Sequence, residues 1–177
     1  ARFPVQTVLR PQREGFIDYR GYAGRVASGI FRPGDNVTVL PSGFTSVIKS
    51  IDTLDGSLEE AYAPMSVSIT LQDNIDVSRG DMIVKPNNQP VSSQDIDAMM
   101  CWFDEQPLQL GGKYVLKHTS NEARSMVKDI VYKMDINQLK RDSENKEIKM
   151  NDIFRVKLRT TKPLITDPYN KNRKTAA

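Results

Sequence analysis

The sequence is poor in the residues most often recruited for chemistry. It holds one cysteine, one histidine and one tryptophan among 177 residues. A single thiol, Cys101, cannot close an internal disulfide, and this fits a reducing, cytoplasmic setting. Zinc needs about four clustered ligands, so the isolated His118 and Cys101 do not suggest a metal site. His118 reads as a surface strand residue, and Cys101 as core filling in an apolar run. No apolar run reaches the roughly 18 residues that cross a bilayer. No basic-then-apolar secretion segment opens the chain.

Active-site motifs are also missing. There is no Gly-x-x-x-x-Gly-Lys-Ser/Thr loop to cradle phosphates, and no Gly-x-Ser-x-Gly elbow. Asn145-Lys146 and Asn170-Lys171 lack the Asp two residues on that a guanine-reading element requires. Asp95/Asp97 and Glu59/Glu60 read as solvated acids, and Arg79-Gly80-Asp81 as a turn before a strand. No catalytic, cofactor-binding or metal-ligating residue is therefore expected.

What remains is an ordinary soluble balance: 38% hydrophobic, 27% charged and a net charge of +3. The basic residues are dispersed, which argues against a nucleic-acid patch. The densest basic stretch, Lys171 to Lys174, reads as a solvated tail.

Gly and Pro punctuate short β-branched runs. Phe3, Val5 and Thr7 alternate within a strand from Arg2 to Leu9, and a polar loop follows over Arg10 to Gly15. The stretch Arg20 to Gly43 reads as two strands joined tightly, a hairpin with Val26 on one arm and Val37 and Val39 on the other. Gly21, Gly24, Gly29, Pro33, Gly34, Pro41 and Gly43 are its expected turn positions. Phe31, in the connection, is the expected partner contact. Thr45 to Asp52, Ser66 to Leu71 and Met82 to Val84 alternate or run apolar as strands. Leu58 to Ala61 fits either one helical turn or a short strand.

The polar, Pro-rich stretch after Lys85 marks a boundary. The expected division is residues 1–86, a linker at 87–93, and residues 94–177. In the second half, Asp95 to Asp104 is apolar on both alternating faces and predicts a strand buried on both sides. Trp102 is expected in the core. Lys113 to His118 is another strand, and Asn121 to Tyr132 fits helix or strand equally by pattern. Lys140 to Lys149 has no apolar face and reads as a solvated loop. Phe154, Val156 and Leu158 alternate with Arg155, Lys157 and Arg159 in a half-buried strand. Many short strands divided by turns predict an all-β fold of small antiparallel barrels.

The order of these pieces carries a resemblance. Arg2 to Gln6, Arg10-Pro11, Asp18 to Gly24, Pro33 to Val37 and Leu40 to Gly43 resemble the second domain of the GTPase (large) subunit of bacterial sulfate adenylyltransferase. Pro107, Leu108, Gly111, Tyr114, Leu116, Lys117, Ile130, Tyr132, Asp135, Ile136, Asn137 and Leu139 are similar to its third. Two departures stand out. Pro64-Met65 replaces a family Gly before the Ser66 strand, and Lys174 to Ala177 does not supply the strand that closes the third-domain barrel.

The resemblance implies two elongation-factor-like β-barrels, the second short of its closing strand unless another strand fills the gap. It favours strand for Asn121 to Tyr132. It implies GTP and Mg in a preceding nucleotide domain and none in this part. The small adenylyltransferase subunit and the chain's own GTPase domain are the implied partners, with no membrane. The implied reaction is ATP plus sulfate giving adenylyl sulfate and pyrophosphate, with the barrels holding the partner and relaying the GTPase state. The alternative is an elongation-factor-like module binding tRNA or ribosome.

Overall fold

The computed structural model describes residues 1–11 and 19–176. Most of the loop expected at Arg10 to Gly15, and Asp18 of the motif, lie outside the described residues. Among the described residues there are strands and turns and no helix.

Two compact units emerge, each discontinuous in sequence. The first comprises Ala1–Ser92, His118–Asn121 and Ile165–Ala176, and the second Ser93–Lys117 and Glu122–Leu164. The sequence division at 86 and 94 follows composition, which marks a linker but cannot register a segment that returns to an earlier unit.

The first unit contains β1 (Arg2–Leu9), β2 (Gly21–Arg25), β3 (Ile30–Phe31), β4 (Asn36–Leu40) and β5 (Phe44–Thr53). It continues with β6 (Gly56–Ser57), β7 (Ala61–Tyr62), β8 (Ser66–Leu71) and β9 (Met82–Val84). The sheet runs β4-β9-β1-β2-β8-β5-β6, and β4 also pairs with β5. That second pairing closes the sheet into a barrel and removes its open edges. Phe3, Val5, Val37, Val39, Ile51, Ile69 and Ile83 fill the interior. Phe3 meets Phe31 edge-on at 6.2 Å.

Several expectations change here. The expected hairpin does not form: β2 pairs with β1 and β8, while β4 pairs with β5 and β9. The connection between them is long enough to carry β3, which pairs with β7. Gly21 and Gly24 are therefore strand residues and not turns. At Gly24 a Cβ would sit 2.4 Å from the Pro4 carbonyl oxygen, so a close backbone approach excludes any side chain. Phe31 is fully buried against Phe3 and cannot touch a partner from the folded barrel. Leu58 to Ala61 makes no helical turn.

Strand periodicity is broken twice. A bulge between Val5 and Thr7 leaves Thr7 exposed, off the face that Phe3 and Val5 share. A second bulge between Ile48 and Ser50 lets Ile48 and Ile51 both point inward, which strict alternation forbids.

The second unit holds most of β10 (Val91–Cys101), β11 (Lys113–His118), β12 (Asn121–Asp135) and β14 (Ile153–Thr166), with β13 (Lys140–Asp142). Its sheet runs β10-β14-β12-β11, with β13 paired to β12. Asn121 to Tyr132 is strand, as the resemblance favoured. Ile96, Val127, Ile130, Phe154, Val156 and Leu158 form the core. Trp102 packs against this core from a half-buried position, edge-on to Tyr114 at 5.5 Å.

Two expectations fail in this unit. β10 is not buried on both faces: Met99, Cys101 and Phe103 are exposed while Ile96 is buried. Apolar content on both faces of a strand does not by itself supply a second covering layer. The stretch Lys140 to Lys149 is not all solvated either. Lys140 to Asp142 pair as β13, and Ile148 is fully buried in a bridge to Leu108.

Candidate functional site

The densest buried polar arrangement among the described residues lies on the outer wall of the first unit. Val39 and Ile83 point into the barrel core. By alternation their neighbours Leu40, Met82 and Val84 point outward. They are nonetheless buried, because Ile165 completes an apolar cluster over them. Arg2 lies beside Val84 in the β1–β9 register and takes the same outward direction.

Arg2 is 3% exposed, and every one of its guanidinium hydrogens is used. Nε donates to Asp167 Oδ2 at 2.8 Å, and Nη2 to Asp167 Oδ1 at 2.7 Å. Nη1 donates to the Ala1 and Asn88 carbonyls at 2.9 and 2.6 Å, and Nη2 also reaches Asn88 Oδ1 at 3.2 Å. The Thr175 hydroxyl donates to Asp167 Oδ2 at 2.6 Å, and the Asp167 amide donates to the Thr175 carbonyl at 2.8 Å. Burial alone would raise the Asp167 pKa. The hydrogen bonds from Arg2 and Thr175 outweigh it and hold the carboxyl below the usual carboxylate range.

His118 joins the same cluster. Its Nε2 stands 3.2 Å from the Thr175 carbonyl, and a carbonyl only accepts, so this nitrogen carries the hydrogen. Burial pushes the His118 pKa down, with the Thr175 and Ala176 carbonyls opposing. The residue is half-buried, not the surface position that the sequence suggested. The segment after Ile165 is likewise no loose tail. Thr175 is fully buried, and the Asn172 side chain donates to Ser28 Oγ at 2.8 Å. Lys171, Arg173 and Lys174 remain exposed along it. Chemically, the cluster is saturated: its charged groups are spent on one another and on the backbone.

The other expected positions are structural. Pro33 and Gly34 occupy a turn closed by the Asp35 amide on the Arg32 carbonyl at 3.1 Å, with Gly34 at φ 87°. Pro41 to Gly43 form the next turn, closed by the Gly43 amide on the Val39 carbonyl at 2.8 Å. Gly29 and Gly43 also have positive φ. Asp95 and Asp97 pair with Arg159 and Arg155, and Glu60 with Arg32. Among the described residues no three or more His, Cys, Asp or Glu side chains gather as metal ligands. Nor, among the described residues, is any helix long and apolar enough to cross a membrane.

Sequence reasoning missed Arg2 and Asp167 as a pair. Arg2 sits inside a quoted motif, but nothing local links it to a residue 165 positions away.

Comparison with known proteins gives consistent matches. Residues 95–177 match the family model for GTP-eEF1A C-terminal domain-like proteins. Along 97% of its length the chain is 47% identical to sulfate adenylyltransferase subunit 1 of Bacteroides thetaiotaomicron. It is 46% identical, over 99% of its length, to the bifunctional enzyme CysN/CysC of Mycobacterium tuberculosis. The chain spans 36% of the first relative and 29% of the second. Among solved structures, sup35 complexed with GDP superposes with a TM-score of 0.85 at 14% identity, over 99% of this chain and 43% of that one. The elongation factor SelB of Methanococcus maripaludis gives 0.71 at 17%, over 94% of this chain and 36% of that one. These structures share the fold of the two β units.

Proposed function

The chain is a homologue of sulfate adenylyltransferase subunit 1 over about a third of that protein's length, and on that premise we propose that it is the β-barrel part of the GTP-hydrolysing subunit of that enzyme. In this role it carries no chemistry of its own. It holds the small adenylyltransferase subunit and passes on the state of the nucleotide domain. GTP hydrolysis then drives the formation of adenylyl sulfate from ATP and sulfate on the partner.

The observation that carries this reading is the 47% identity sustained along 97% of the chain. A second supports it: Arg2 and Asp167, buried and charged, are fully engaged with each other and with protein atoms, which suits a scaffold. A relay further requires two arrangements with different affinity for the partner.

The test is direct. The purified chain is titrated separately with GTP and with the small subunit, and assayed with ATP and sulfate. The small subunit is expected to bind, GTP to give no heat, and no adenylyl sulfate to form. Micromolar GTP binding, or product from the chain alone, would overturn the reading. RNA binding that weakens steeply with salt would favour the elongation-factor-like alternative.

A further inference from the structure

We propose that residues 165–176 act as a releasable latch on the outer wall of the first unit, with the Arg2–Asp167 pair as its pin. Three observations carry this. First, the segment packs on its own small apolar cluster. Ile165 sits with Leu40, Met82 and Val84, whereas the barrel interior is a separate cluster to which Ile165 does not belong. Detaching the segment therefore removes one apolar residue from the wall and none from the core.

Second, its polar attachment converges on one carboxylate. Asp167 receives Arg2 through two hydrogen bonds and Thr175 through a third, and a parallel bridge ties Asp167 to Ala176. Among the described residues the remaining side-chain ties are the Asn172–Ser28 hydrogen bond and the His118 contact to the Thr175 carbonyl. Loss of Asp167 as an anion undoes the ion pair, weakens the Thr175 anchor from a charge-assisted to a neutral hydrogen bond, and leaves a buried guanidinium without its counter-charge. Third, Lys171, Arg173 and Lys174 are already exposed, so that part of the segment has little buried surface to give up when it opens.

Together these define a local element with its own stability, lower than that of the closed barrel. Release leaves Arg2 held by Ala1 and Asn88 alone and takes Ile165 off Leu40, Met82 and Val84, an apolar strip beside a cation. The latch thus decides whether that strip is available at the surface.

Hydrogen exchange measured by mass spectrometry tests the proposal on the whole chain. The reporters are the protected amides of the segment, Asp167, Lys171 and Asn172, against ladder amides of β5 and β8. In Asp167→Asn at neutral pH the segment amides are expected to exchange about tenfold faster or more and to lose their protection, while the β5 and β8 amides remain strongly protected. Should Asp167→Asn fail to fold, the unmutated chain in low urea answers the same question. There the segment amides open through a local step before the barrel amides do. Segment amides that stay as protected as the β5 and β8 amides, a single shared opening in urea, or no effect of Asp167→Asn would each overturn the proposal.

Discussion

Arg2 and Asp167 face each other as a fork on a fork, with contacts of 2.8 and 2.7 Å and both side chains only 4% exposed. A guanidinium suits this place because its planar donors meet two carboxylate oxygens and two backbone carbonyls at once. Lysine offers one point charge and cannot. Asp167→Ala is expected to cost about 3–5 kcal/mol, since it strands a buried charge. Pairing it with Arg2→Met is expected to recover part of that loss. Urea unfolding followed by circular dichroism measures both. The fluorescence of the single tryptophan, Trp102, which packs half-buried against the core of the second unit, serves as an internal control.

The same cluster sets an acid limit. The Asp167 pKa is lowered in the fold, so its contribution is present above the unfolded value of about 3.9 and is lost as pH falls through the folded value. The His118 pKa is also lowered, so the neutral ring is the stabilising form. Its contribution is present above the unfolded value of about 6.5 and is lost as pH falls from there through the folded value. Stability should therefore decline in two stages on acidification. His118→Gln, which keeps an N–H donor without a titration, is expected to remove the upper stage. Melting temperatures across a pH series would show it, and an unchanged upper stage in the variant would refute the assignment.

Gly24 and Gly34 separate two reasons for glycine. A methyl at Gly24 meets the Pro4 carbonyl at 2.4 Å, and Phe3 Cζ at 3.1 Å. Gly24→Ala must push two barrel strands apart and is expected to cost about 1–3 kcal/mol or more. At Gly34 nothing lies within 4 Å, and only the φ of 87° opposes a side chain. Gly34→Ala is expected to cost about 1 kcal/mol. Thermal unfolding of the two variants side by side gives the order.

Phe31 and Phe103 reverse the roles that aromatic content would assign. Phe31 is 0% exposed and Phe103 74%. Phe31→Ala is expected to lose about 3–5 kcal/mol, and Phe103→Ala to stay within about 0.5 kcal/mol. Chemical denaturation compares them. Cys101, on the same exposed face, should react with a thiol reagent in the folded protein without denaturant.

The local pattern was enough for most of the longer strands, though not for Asn121 to Tyr132 or Lys140 to Asp142, and for the turns at Pro33-Gly34 and Pro41 to Gly43 and the all-β class. Period-two alternation and turn chemistry act over a few residues, so they are legible wherever they occur. The ordered motifs, read together, were enough for the homology. Other features needed the tertiary structure, and for one reason: each depends on what covers a residue from far along the chain. β3 pairs with the distant β7 and Phe31 packs on Phe3, so Phe31 is buried. Among the described residues no second layer packs over the face of β10 that carries Cys101, so Cys101 is exposed. The return of residues 165–176 to the first unit joins Asp167 to Arg2 and seals Leu40, Met82 and Val84. Sequence writes the faces of each strand; only the closed barrel and the returning segment decide which of those faces meet water.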